Sequence, residues 1–104
     1  MTELTKGTRI TLTDGGSVSI IKELGRGGQG IVYLVDLNGE QKSLKWYLTA
    51  PDEKFYRNLE KNIMNGAPSD AFLWPEHLTN RQLGSFGYVI LRLRQQKQYI
   101  PVSF

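Results

Sequence analysis

The chain has 104 residues, 39 % of them apolar, with thirteen basic side chains against ten acidic ones and a formal net charge of +3. That is the size of one domain with a modest core, no run of about 18 apolar residues is present to span a membrane, and the first eight residues lack an apolar stretch of signal-peptide length. The absence of cysteine excludes a disulfide scaffold and fits a reducing, cytoplasmic setting.

Residues 9–13 alternate apolar and polar, Asp14-Gly15-Gly16 supplies a turn, and residues 17–24 return, which predicts a leading hairpin. Next comes Gly25-Arg26-Gly27-Gly28-Gln29-Gly30-Ile31-Val32-Tyr33, a G-x-G-x-x-G-x-V pattern. A dinucleotide-binding glycine motif opens a helix, so that its amides and dipole meet the pyrophosphate. Here residues 31–37 have strong β propensity instead, and Asn38-Gly39 is the two-residue turn that best closes a hairpin. The glycines therefore sit in a strand–loop–strand. On its own the spacing is weak evidence, because eleven glycines in one short chain also serve turns and positive φ angles. Residues 41–48 then read as a third strand, with Lys45 fifteen positions after Gly30.

A helix is predicted over 51–65. Thr49 and Asp52 have the capping spacing, Pro51 is tolerated in a first turn, and Asp52 and Glu53 complement the positive helix end. Phe55, Leu59 and Ile63 recur every four residues, Tyr56 and Met64 widen the stripe, and Asn65-Gly66 supplies the stop. Glu60 lies on this helix. Beyond the loop at 67–70, residues 78–83 and 86–93 read as a hairpin closed near Gly84-Ser85. Ser85-Phe86-Gly87 therefore reads as part of a turn. His77, the single histidine, has no cysteines near it to build a metal site and reads as structural. Residues 95–98 are polar, and Tyr99, Ile100, Val102 and Phe104 then present apolar side chains, which predicts a docking segment or an interrupted fold. The sum is α+β: one domain over 1–104, a twisted antiparallel sheet of five or six strands with one main helix on one face.

Glycine-rich loop (25–33), lysine strand (40–48), helix (51–65) and a further strand (86–93), in that order, resemble the N-terminal lobe of a protein kinase over about residues 17–93, and the chain is similar to divergent bacterial Ser/Thr-type kinases. The resemblance implies that Gly25, Gly27, Gly28 and Gly30 cradle the phosphates of ATP, that Lys45 neutralises the α- and β-phosphates, and that Glu60 holds the Lys45 ammonium. It further implies that Leu24 and Val32 cover the adenine, that Ser43 stands at the usual alanine, that Ile90 is the gatekeeper, and that Leu91 and Leu93 offer backbone hydrogen bonds at the hinge. Taken singly, Lys45 is a sheet-surface lysine and Glu60 a solvated helix residue.

Three departures qualify the resemblance. The lysine strand reads Lys42-Ser43-Leu44-Lys45 instead of V-A-I-K, and Gln29 occupies the loop tip where an aromatic residue often shields the phosphates, so weak nucleotide binding is expected. No H-R-D-x-x-x-x-N, D-F-G or A-P-E follows, so the catalytic base and the carboxylates for Mg lie outside this chain. A truncated kinase lobe, catalytically silent alone and completed by its missing C-lobe, is the expectation. A regulatory module that keeps the lobe and docks on a separate chain is the alternative. A nucleic-acid-binding β domain comes third, on the mild positive charge, five tyrosines and two tryptophans. No membrane association is expected.

Overall fold

A computed structural model describes residues 3–69 and 74–91. The elements in chain order are β1 (Arg9–Thr11), β2 (Ser17–Arg26), β3 (Gly30–Leu37), β4 (Glu40–Tyr47), α1 (Glu53–Asn65), β5 (His77–Leu78) and β6 (Gly87–Leu91). The strands form one antiparallel six-stranded sheet in the order β1-β2-β3-β4-β6-β5.

The predicted Asn38-Gly39 turn is present: Leu37 pairs with Glu40, and both turn residues have positive φ, 52° and 86°. These are the angles of a type I′ turn, whose twist matches that of the flanking strands. A second turn of this kind sits at Leu83-Gly84 (φ 52° and 77°), where Gln82 and Ser85 exchange both backbone hydrogen bonds at 3.0 Å. It corrects the expected hairpin by one residue, and β5 is shorter than the predicted strand because only His77 and Leu78 join the ladder.

The sheet curls until its edges meet. Leu12 bridges Thr79, the Thr13 N–H donates to the Leu78 carbonyl at 2.8 Å, and the Asn80 N–H donates to the Thr11 carbonyl at 3.0 Å. Closure satisfies edge groups that would otherwise template aggregation. It also encloses a core of Leu4, Ile10, Leu12, Val18, Ile20, Ile31, Tyr33, Val35, Leu44, Trp46 and Val89. At the seam His77 Nδ1 lies 2.7 Å from Asp14 Oδ2, which gives the histidine the structural partner expected of it. The Asp14 carboxyl is held below its ordinary range, first by the Gly16 N–H and then by His77.

Alternation along β4 and β6 sends Tyr47, Tyr88 and Ile90 to the other face, where they pack with Leu59, Leu78 and Phe86 under α1. The helix begins at Glu53 with Asp52 as its N-cap, the Asp52 carboxylate accepting the Phe55 N–H at 2.9 Å, so Asp52 and not Thr49 caps the helix. Gly66, φ 77°, ends it as expected. Leu59 is buried and Phe55, Tyr56 and Ile63 pack beside it, but Met64 is 82 % exposed and belongs to the solvent side. Arg81 anchors the first turn through an ion pair with Glu53 and a position 4.0 Å over the Tyr56 ring, while the Tyr56 hydroxyl donates to the Thr79 carbonyl at 2.9 Å. Residues 92–104, including Leu93 and the apolar C-terminal run, lie outside the described residues. Among the described residues no helix is long and apolar enough to cross a membrane.

Burial raises the Tyr47 and Tyr88 phenols above their ordinary value, with Tyr88 adding to the shift at Tyr47. Tyr56 is raised by burial and by Glu60. An upward shift keeps these groups neutral in the fold, so their contribution is fully present below the unfolded pKa of about 10 and is lost as pH rises beyond it. Melts followed by circular dichroism are expected to be insensitive to the tyrosines up to about pH 9 and to fall above about pH 10, with a shallower fall in Tyr88→Phe.

Candidate nucleotide site

The glycine-rich loop is the turn between β2 and β3. Arg26 pairs with Ile31, the Gly27 N–H donates to the Gly30 carbonyl at 2.9 Å, and the Leu48 N–H donates to the Gln29 carbonyl at 3.0 Å, tying the loop tip to the end of β4. Glycine is needed in a fold for positive φ or for close approach. Gly25, Gly27 and Gly28 meet neither condition: none has positive φ, and a Cβ on any of them would find no atom within 4 Å. Gly30 differs, because its Cβ would lie 2.4 Å from the Trp46 carbonyl oxygen, so the last glycine of the motif serves strand packing.

Register assigns the faces. Partners across an antiparallel ladder share a face, so Gly25, Val32, Lys45 and Tyr88 form one row across β2, β3, β4 and β6, and Leu34, Ser43 and Ile90 form the next. The fold thus brings Val32, Ser43, Lys45 and Ile90 to one face beside the loop. Leu24, at the bulge between Glu23 and Gly25, is an exposed apolar residue at its edge, 46 % accessible. Leu91 closes β6 opposite Lys42.

Lys45 is half-buried, with its ammonium 5.6 Å from the centre of the Tyr47 ring. Among the described residues no carboxylate lies within ion-pair distance of it. Glu60 is exposed on α1, so the structure leaves the two apart. A cavity of about 360 Å³ lies between the loop tip, the end of β4 and the start of α1, lined by Gly28, Gln29, Tyr47, Thr49, Pro51 and Phe55. Gln29, the unusual loop-tip residue, forms part of its wall.

Ser43 is fully buried and its hydroxyl has no hydrogen-bond partner among the described residues. A ligand does not reach it in this conformation. Because an unsatisfied buried hydroxyl costs about 1–3 kcal/mol, Ser43→Ala is expected to raise stability by about 1 kcal/mol in urea unfolding. An equal or lower midpoint contradicts the placement of that hydroxyl.

Sequence reasoning missed Lys42. It is 8 % exposed on the opposite face from Lys45, with its ammonium 3.0 Å from Glu76 and 3.6 Å from Glu40. Burial lowers its pKa, but the two carboxylates more than offset this and hold the ammonium above its ordinary value. The only sequence signal was its place three residues before Lys45, which puts the two lysines on opposite faces of one strand.

No protein-family model and no curated protein matches the sequence. Solved structures do. The fold is similar to vaccinia related kinase 3 (TM-score 0.64, 18 % identity, 89 % of this chain and 32 % of that one) and to the PknI kinase domain of Mycobacterium tuberculosis (TM-score 0.64, 20 % identity, 88 % of this chain and 37 % of that one). The chain therefore spans about a third of the kinase chains it matches, and its fold is that of a partial kinase domain, the N-lobe.

Proposed function

We propose that this chain is the ATP-binding N-terminal lobe of a protein kinase that works in the cytoplasm on protein serine or threonine, and that it transfers no phosphate without its second lobe. The observation that carries the reading is the set Gly25, Gly27 and Gly28, glycines the fold itself does not require, of which Gly25 stands in the row of Val32 and Lys45 and the other two in the loop that follows it. A loop without side chains lets backbone N–H groups approach phosphate oxygens closely, as in the loop that covers nucleotide phosphates in kinases. Lys45, a cation with no carboxylate within ion-pair distance among the described residues, supplies the compensating charge beside it. Leu24 and Val32 offer apolar surface to the base. Bound ATP supplies the transferable γ-phosphoryl group. Mg²⁺ binding falls to the second lobe, because the chain has no D-F-G aspartate.

On this reading α1 must move before Glu60 can hold Lys45, and the latch that sets its position is Arg81 on Glu53 and Tyr56. Titration with Mg·ATP followed by calorimetry tests the reading: Lys45→Ala is expected to weaken binding at least about tenfold, as loss of a charge-assisted phosphate contact does, and equal affinity in the two proteins contradicts it. A second reading, a regulatory module that keeps the lobe fold and docks on a separate chain, is favoured by the separation of Lys45 and Glu60 and by the inaccessibility of Ser43. Under it, Lys45→Ala leaves partner binding intact.

A further inference from the structure

The segment before β1 crosses the face of the β2–β3 hairpin that looks away from Lys45. Leu4 is 7 % exposed and packs into the sheet's enclosed core, and its N–H donates to the buried Tyr33 hydroxyl at 2.8 Å. Further along, the Gly7 N–H donates to the Ile20 carbonyl at 2.8 Å and the Thr8 carbonyl accepts the Ile20 N–H at 2.9 Å. At its start Glu3 reaches Arg26, the second residue of the glycine motif. Arg26 Nη2 lies 2.7 Å from Glu3 Oε1 and 2.7 Å from Glu23 Oε1, its Nη1 lies 3.4 Å from Glu3 Oε2, and its Nε lies 3.0 Å from Glu23 Oε2. The ladder pairs Glu23 with Tyr33 and Arg26 with Ile31, so this cluster lies on the face opposite the Gly25–Val32–Lys45 row. Arg26 is thus aimed away from the phosphate side.

We propose that residues 3–8 are a strap that fixes the glycine-rich loop from the far face of the sheet, with Glu3–Arg26 as its clasp, so that any partner or cleavage that lifts the strap loosens the loop. The physical basis is that Glu23–Arg26 is local to β2, whereas Glu3–Arg26 joins segments 23 residues apart and adds a restraint at the root of the turn. Exposed carboxylate–guanidinium pairs are individually weak, and the opening of a three-residue turn is a low-energy event that a weak restraint can still govern.

Amide hydrogen exchange on the full chain tests this without any nucleotide. The Gly27 and Leu48 amides, which close the loop and tie its tip, are expected to exchange about two- to fivefold faster in Glu3→Gln, while Val35 and Leu44 in the core stay unchanged. The double variant Glu3→Arg/Arg26→Glu, which keeps the same charges with the cation moved to the strap, is expected to restore slow exchange. Equal rates in wild type and Glu3→Gln, or a rise shared equally by Val35 and Leu44, overturn the strap. The consequence for nucleotide affinity rests on the proposed function and is read separately. Loop exchange that rises in Glu3→Gln, with no Mg·ATP binding in any variant, upholds the strap and defeats the nucleotide reading.

Discussion

Trp46→Ala is expected to remove about 3–5 kcal/mol of stability, the usual cost of truncating a buried aromatic residue to alanine. Trp46 is 0 % exposed and heads the largest fully buried side chains. It projects from near the end of β4, opposite Ile31 on β3 and Gly87 on β6, into the core that the curled sheet encloses. No backbone adjustment closes the space it leaves, because both neighbouring strands are already locked in register. Domains of this size have total stabilities of about 5–15 kcal/mol, so the variant sits near the folding limit. Urea unfolding monitored by circular dichroism measures the loss. Trp46→Phe keeps most of the volume and is expected to lose less, and a loss below about 1 kcal/mol in Trp46→Ala is at odds with this core.

The four glycines of the motif are expected to divide into two classes when each is changed to alanine. Gly30→Ala drives a methyl group to 2.4 Å from the Trp46 carbonyl oxygen, and Gly87→Ala drives one to 2.2 Å from the Lys45 carbonyl oxygen. The obstruction in both cases is backbone of β4, which moves only by breaking ladder pairs. A loss of about 2 kcal/mol or more is expected at each. Alanine at Gly25, Gly27 or Gly28 meets no atom within 4 Å and is expected to change stability by less than about 1 kcal/mol. Under the proposed function the cost at those three falls on nucleotide binding, since a methyl group there would stand where phosphate oxygens approach the amides. Thermal melts and Mg·ATP titrations on all five variants separate the classes. Equal destabilisation across them contradicts the close approach seen at Gly30 and Gly87.

Those two glycines also show where sequence reading stops. The Asn38-Gly39 hairpin was legible because its positive φ angles are a local requirement, written in adjacent residues. Close approach between strands leaves no such trace: Gly30 reads as the end of a loop motif, Gly87 as a residue in a strand, and their shared task of flanking Lys45 and Trp46 emerges only when β3, β4 and β6 are side by side. Strand, loop and helix order were likewise legible from periodicity. The closure of the sheet was not, since Leu12–Thr79 and Asp14–His77 join segments more than sixty residues apart by ordinary polar contacts. At the helix start the capping spacing pointed to Thr49, with Asp52 in the first turn, and the reach of the Asp52 carboxylate to the Phe55 N–H makes Asp52 the cap instead.

The candidate site divides in the same way. Val32 and Lys45 share a face through alternation and the Asn38-Gly39 turn, both legible in the sequence, whereas Gly25 joins their row across the β2–β3 loop next to a register shift that spacing does not record. The distance between Lys45 and Glu60 depends on how α1 rolls on its bed of Tyr47, Phe86 and Tyr88. Helix periodicity finds the apolar stripe and leaves that rotation open. The burial of Ser43 is of the same kind, a result of packing over β4 that no motif records.

The central claim is that the 25–30 loop and Lys45 bind a polyphosphate together. Amide-shift mapping of the isotopically labelled chain during titration with Mg·ATP tests it most directly, because it detects even the weak binding expected of a lone lobe. The account predicts shifts concentrated at Gly25, Gly27, Gly28, Val32 and Lys45, larger for Mg·ATP than for adenosine and lost in Lys45→Ala. Shifts elsewhere on the sheet, or the same loop shifts in Lys45→Ala, would contradict it.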